Sequence, residues 1–330
     1  MKLGTLKEAD ERDGRLVVVS RDLTRAMVPF SIARTLQEAL DHWLYVEPKL
    51  RAVSDCLNAG KFTSAFKVEP RHFAAPLPRA YQVLDGSAYL SHVERVRRAR
   101  GADMPESYKT DPLMYQSVSD HLLGCRDDIE VRDESWGIDF EAEVVVITDD
   151  VPMGVSCEEA EQRIKLIMLM NDISLRNLIP AEAAKGFGFL HSKPVKAFSM
   201  VAVTPDEPGL QWKNGRLYSP LYISRRGKYK AAPDAGMGMH FSFPELIAHA
   251  ARTRSLGAGT IIGGGTVSMK IPISDFACIA ERRAHEMLET GKAETPYLSF
   301  GETIRMDMFD PNRRSIFGAI EQTVKPASKS

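Results

Sequence analysis

The chain has 330 residues, with 43 lysines and arginines against 44 aspartates and glutamates and a formal net charge of −1. Phosphate binding needs a basic excess clustered on one face, so this balance argues against nucleic acid as the main partner. With 44% hydrophobic residues and no long like-charge block, disorder is excluded for most of the chain, and the length allows one large domain or two.

Met1–Ser20 is mixed, with its only apolar run at Leu16–Val19, which excludes a secretory signal. No segment approaches the roughly 18 apolar residues of a membrane span. Cys56, Cys125, Cys157 and Cys278 are scattered without zinc-ligand or redox spacing. They read as reduced thiols of a cytoplasmic protein, which argues against zinc.

Leu16–Val19 reads as a strand after an Asp13-Gly14 turn. Leu36, Ala39, Leu40, Trp43 and Leu44 follow helical spacing. Pro48 suits the first turn of a second helix that Gly60 closes. Pro70, Pro76 and Pro78 then mark a boundary, giving an N-terminal domain at 1–75 and a second domain at 76–330. Glu141–Ile147 reads as a β-branched strand. Ser156 and Glu159 have capping-box spacing before a helical pattern over Glu158–Met170. Val195–Thr204 and Leu217–Ser224 read as strands, and Pro244–Leu256 and Ile279–Glu289 as helices, the latter closed by Gly291. Phe300–Phe309 alternates like a strand that pairs with Ser315–Ile320, and the tail from Val324 reads as frayed.

Glu141 and Glu143 stand at i and i+2 on a strand, so their carboxylates project to one face. Like charges so placed repel unless a cation intervenes. A solvated strand end is the competing explanation. Asp172 reads as a helix-end acid and Asp85 as a turn residue. If a helix starts near Ser87, His92 falls seven residues and about two turns beyond Asp85, on the same side. A surface histidine is the alternative. Gly263-Gly-Gly-Thr-Val-Ser268 lacks the lysine of a phosphate loop and the dinucleotide spacing. It lets a backbone approach a ligand closely, or simply makes a tight turn. Arg95, Arg97, Arg98 and Arg100 read as a solvated helix face.

Asp85-x6-His92, Glu141-Ala-Glu143, Asp172-x3-Arg176 and Gly264-Gly265-Thr266, in this order, resemble the fumarylacetoacetate hydrolase family over about residues 75–322. The N-terminal region resembles the extra domain of its longer members. The resemblance implies an α+β, mostly β fold, with a C-terminal mixed β-sandwich or roll, a small N-terminal domain and a homodimer. It implies metal ligands Asp85, Glu141, Glu143 and Asp172. An all-oxygen set prefers Mg²⁺ or Ca²⁺, with Mn²⁺ also suited. It further implies His92 as base with Glu281 as its partner, Arg176 and Lys193 (or its competitor Lys196) as catalytic cations, and Tyr115, Thr266 and Arg100 or Arg97 as substrate contacts. Ser87 and Ile179 depart from the tyrosine and glutamine of well-known members. The expected activity is metal-dependent hydrolysis of a carbon–carbon bond in a small anionic diketo acid, fumarylacetoacetate or an acylpyruvate, in aromatic degradation. A 2-keto acid hydratase or decarboxylase on the same metal site is one alternative. A non-catalytic cation-binding protein is another.

Overall fold

The computed structural model describes residues 1–270 and 275–328. An eleven-stranded sheet runs in the order Phe66–Lys67, Arg25–Met27, Glu11–Val19, Lys2–Glu8, Val201–Val203, Ile164–Asp172, Ala142–Thr148, Ile261–Gly263, Val83–Gly86 and Met114–Ser117, with Lys196–Phe198 also paired to Ile164–Asp172. A five-stranded sheet is built from Lys228–Ala231, Leu221–Arg225, Thr303–Met308, Ile320–Pro326 and Ile129–Val131. With seven α-helices among the described residues, the architecture is α+β and mostly sheet.

The centre of the large sheet explains its sequence. Ala142–Thr148 pairs antiparallel with Ile164–Asp172, Glu143 standing opposite Met170. Val144 and Val146 pack into one core with Leu246 and Phe243. Val145 and Ile147 face a second core containing Leu36, Leu40 and Leu50 of the N-terminal helices. A strand buried on both faces has no polar alternation, so it reads as a continuous apolar run.

That same property misleads over Glu158–Met170. The helix spans only Cys157–Arg163, its capping box formed by Ser156 and Glu159, and Ile164–Asp172 is a strand. Periodicity cannot separate a buried strand from a buried helix in so short an apolar run. The first hairpin turns at Ala9-Asp10, not at Asp13-Gly14. Gly14, at φ +61°, lies inside the strand Glu11–Val19 where the register slips, and a Cβ there would meet the Leu6 carbonyl oxygen at 2.3 Å. The first helix ends at Asp41, Leu44 is exposed, and Pro48 sits inside the second helix, Trp43–Asn58. Val195–Thr204 is two strands, Lys196–Phe198 and Val201–Val203. The stretch Leu217–Ser224 is likewise split between Arg216–Leu217 and Leu221–Arg225. The helix at Pro244 spans Phe243–Ala250. Thr303–Met308 pairs with Ile320–Pro326, so Val324 is fully buried rather than frayed. No helix among the described residues is long and apolar enough to cross a membrane.

Candidate active site

Three strands deliver the acidic residues. Asp85 lies on Val83–Gly86, in register with Gly263 on one side and Tyr115 on the other. It is on a strand, so the two-turn relation to His92 does not apply. Glu143 lies on Ala142–Thr148, and Glu141 just precedes it. Asp172 ends Ile164–Asp172, is paired in register with Lys196, and donates its backbone N–H to the Glu141 carbonyl at 3.0 Å. The strand between Asp85 and Glu143 ends in Gly263, and this is why a glycine is needed. A Cβ at Gly263 would lie 2.2 Å from Asp85 Oδ1. One carboxylate oxygen from each of Asp85, Glu143 and Asp172 falls within 4.8 Å of the other two.

All three residues are buried. Both Glu143 oxygens and Asp85 Oδ1 lack a hydrogen-bond partner. Burial, followed by repulsion from Asp85 and Asp172, pushes the Glu143 carboxyl well above the usual range. Burial also pushes Asp172 up to about 6 against the pull of Lys193 and Lys196. Buried, unpartnered carboxylate oxygens are costly, and a hard cation is the partner that satisfies them. The donor set therefore fits a divalent ion such as Mg²⁺, Ca²⁺ or Mn²⁺.

Glu141 stands apart from this cluster. Its oxygens meet Lys193 Nζ at 2.8 Å and Arg176 Nη2 at 2.5 Å. Burial opposes its charge, but Lys193 and Arg176 hold it well below the usual carboxylate range. The two lysines are not exclusive choices. Lys193 also pairs with Asp172 Oδ2 at 2.5 Å, while Lys196 reaches Asp172 Oδ1 at 2.6 Å and Asp85 Oδ2 at 3.2 Å. The Tyr115 hydroxyl accepts from Lys196 at 2.9 Å and lies 2.9 Å from Asp172 Oδ2 and 3.1 Å from Asp85 Oδ2. Thr266 is buried just beyond the glycines. Ser87 is half-buried, and Ile179 opens the short helix Ile179–Ala183.

His92 occupies the first turn of the helix Leu90–Arg98, with Nδ1 facing Glu281 Oε2 at 3.4 Å. Glu281 lies in the first turn of Ile279–Thr290, a helix closed by Gly291 at φ +74°. Ser268 donates to Glu281 Oε1 at 2.6 Å, and Arg95 pairs with the same oxygen. Burial opposes ionisation of Glu281, but His92 and Arg95 outweigh it and hold the carboxyl below its ordinary value. Arg95 is thus turned inward and does not belong to a solvated face. Arg97 donates to the Asp103 carbonyl, and Arg100 is exposed in the turn beyond the helix. Among the described residues neither makes a side-chain hydrogen bond or ion pair with the site.

Three positioning residues escaped the sequence analysis. Asp139 accepts from Arg176 Nε at 2.8 Å and from the backbone N–H groups of Ile279 and Ala280, also at 2.8 Å. It thereby ties the arginine to the helix that carries Glu281. Its signal was present, since Asp139, Glu141 and Glu143 alternate as D-x-E-x-E. Glu182 accepts from the N–H groups of Leu190, His191 and Ser192 and from the Ser192 hydroxyl, anchoring the loop that ends at Lys193. Cys278 caps the Ile279–Thr290 helix through Sγ, which accepts from Glu281 N at 3.3 Å. Nothing local marked the last two.

Residues 82–325 match the family profile described as fumarylacetoacetate (FAA) hydrolase C-terminal, and residues 1–79 match fumarylacetoacetase N-terminal domain 2. Among curated proteins, none matches this chain. A fumarylacetoacetate hydrolase from Exiguobacterium antarcticum shares the fold at TM-score 0.67 and 16% identity, over 99% of this chain and 100% of that one. A maleylpyruvate hydrolase from Sphingobium, solved with manganese and pyruvate, gives TM-score 0.65 at 13% identity, over 99% and 100%. A protein described as a probable 2-hydroxyhepta-2,4-diene-1,7-dioate isomerase from Mycobacterium abscessus gives 0.68 at 16% identity, over 100% of both chains. On the match over residues 82–325, the chain belongs to the fumarylacetoacetate hydrolase family.

Proposed function

We propose that this chain is a divalent-cation-dependent hydrolase that cleaves a carbon–carbon bond in a small β-diketo acid of the acylpyruvate or fumarylacetoacetate type. The observation that carries the reading is the three-carboxylate cluster with unpartnered oxygens, linked through Glu141 to a His–Glu pair. The link is short, because Glu141 bridges to Cys278, three residues from Glu281. The manganese and pyruvate of the Sphingobium hydrolase support it.

Asp85, Glu143 and Asp172 would hold the cation, with Glu141 as a fourth carboxylate once its cations yield. When bound, the ion supplies Lewis-acid charge for the paired oxygens of a diketo acid. His92 takes the proton of a water molecule through Nε2, while Glu281 holds Nδ1 and stabilises the imidazolium. The water oxygen bonds to a ketone carbon and the carbonyl pair moves onto oxygen. Lys193 and Arg176 provide the positive charge that this oxyanion requires. The adjacent carbon–carbon bond then breaks, its electron pair remains on the departing carbon as an enolate, and that carbon takes up the proton. A carboxylic acid and a keto acid result. Residues 1–75 act as an added N-terminal domain in this reading.

The test is product analysis of the purified protein with fumarylpyruvate, fumarylacetoacetate and oxaloacetate, with and without chelator. Chelator-sensitive hydrolysis of a diketo acid is expected. Turnover of oxaloacetate alone, or isomerisation without cleavage, would remove the hydrolase reading.

A further inference from the structure

The proposed hydrolysis uses His92 and Glu281 but not the thiol beside them. Cys278 Sγ, a His92 ring nitrogen and a Glu281 carboxylate oxygen all lie within 4.8 Å of one another. Glu281 is completely buried, and its Oε2 has no hydrogen-bond partner, nor has His92 Nδ1. Ser268 and Arg95 engage only the other oxygen, Oε1. His92 Nδ1 and Glu281 Oε2 face each other at 3.4 Å without forming a hydrogen bond, so both remain open to a closer partner, while Cys278 Sγ, among the described residues, accepts only the Glu281 backbone N–H.

Sulfur, imidazole nitrogen and one carboxylate form a much softer set than the all-oxygen cluster, and they are the ordinary ligands of Zn²⁺. Bond lengths of about 2.0–2.3 Å place tetrahedral ligands roughly 3.3–3.8 Å apart, so closure needs movements of about 1 Å. A cavity of about 470 Å³ has Phe276, Cys278 and Ile279 in its wall and offers a route to the sulfur. The arginines in that wall are already paired, Arg225 and Arg226 with Glu302 and Arg282 with Glu286.

We propose that His92, Cys278 and Glu281 form a second metal site, selective for Zn²⁺ and similar soft divalent ions and separate from the hard-cation cluster, whose filling silences the enzyme. As the metal–sulfur bond forms, the thiol proton leaves to solvent. The ion also occupies His92, the proposed base. The inhibitory half therefore rests on the proposed function, whereas the binding half does not.

The full-length protein, held in excess Mg²⁺, is titrated with Co²⁺ and followed by its thiolate-to-cobalt charge-transfer absorption. The band is expected in the wild type and absent from Cys278→Ser and from His92→Gln. Serine is a good N-cap, so Cys278→Ser should keep its fold, which thermal melting checks. No band, or an undiminished band in Cys278→Ser, overturns the site; the latter assigns cobalt to Cys56, Cys125 or Cys157. In the second arm, Zn²⁺ is added to Mg²⁺-supported turnover. Inhibition about tenfold or more weaker in Cys278→Ser than in wild type is expected, the usual scale for losing a metal-site partner. Equal inhibition of both overturns the inhibitory half. A cobalt band without any diketo-acid turnover supports the site while refuting the proposed function.

Discussion

Replacing Glu143 with methionine should make the metal-free protein more stable. Both Glu143 oxygens are buried without a partner, and Asp85 and Asp172 repel its charge. An unsatisfied buried polar group costs about 1–3 kcal/mol, and the unbranched methionine fills similar space without one. For 330 residues at about 2.1 cal/mol/K each, the unfolding entropy is roughly 0.7 kcal/mol/K, so Tm in chelator should rise by about 1.5–4 °C. The wild type behaves oppositely on adding cation. At a concentration of about 100 times Kd it gains about 2.7 kcal/mol, or about 4 °C, and the variant should gain nothing. Calorimetric melts of both proteins, with chelator and with Mn²⁺ or Mg²⁺, decide the matter. A variant that melts several degrees below wild type in chelator would show Glu143 to be structural support. A variant that keeps the full metal-induced rise would refute its place in the cation site.

His92→Ala should lower kcat for a diketo acid by about 10²–10⁴-fold while keeping the metal-induced rise in Tm; retention of full activity would remove His92 as base. Lys193→Met removes one of two buried partners from each of Glu141, which keeps Arg176, and Asp172, which keeps Lys196, and should cost about 3 kcal/mol, or about 4 °C in Tm. Gly263→Ala drives a Cβ to 2.2 Å from Asp85 Oδ1 and should weaken cation affinity, measured by calorimetry, at least about tenfold. Glu182 has its carboxyl lowered from 4.5 to about 2, where burial is outweighed by the Ser192 hydroxyl and the backbone N–H groups of His191, Ser192 and Leu190. Its contribution is present above pH 4.5 and is lost as pH falls toward about 2. Pepsin cleavage at the exposed Phe187 or Leu190 should therefore accelerate down that window in wild type, and should already be fast at pH 4.5 in Glu182→Gln.

Local chemistry was legible in the sequence wherever a single element decides it. The i, i+2 relation of Glu141 and Glu143 follows from strand geometry alone. The capping box at Ser156 and the stop at Gly291 are likewise decided within a turn. Partners drawn from afar were not legible. Glu141 meets a lysine 52 residues away, and Arg95 meets a glutamate 186 residues away. Such pairings depend on sheet order, which no local pattern contains. For the same reason an arginine on a polar helix read as solvated. The helix reading over Ile164–Met170 failed differently. A strand with both faces buried erases the alternation by which strands are recognised.

The charge arrangement binds these observations together. Asp85, Asp139, Glu141, Glu143 and Asp172 place five carboxylates in one buried region, and Arg176, Lys193 and Lys196 place three cations among them. Two negative charges remain, which is the charge of one divalent ion. Without it, each uncompensated buried charge costs several kcal/mol, and protonation is the other escape. The upward push on Glu143 and Asp172 is that escape beginning. Lys193, proposed above for the oxyanion, and Lys196 thus share a second role in the charge balance. They neutralise carboxylates that a cation on Asp85, Glu143 and Asp172 would not, so a single divalent ion would complete the balance. A chain with a net charge of −1 can therefore hold a strongly organised charge pattern, because the near cancellation is local as well as global.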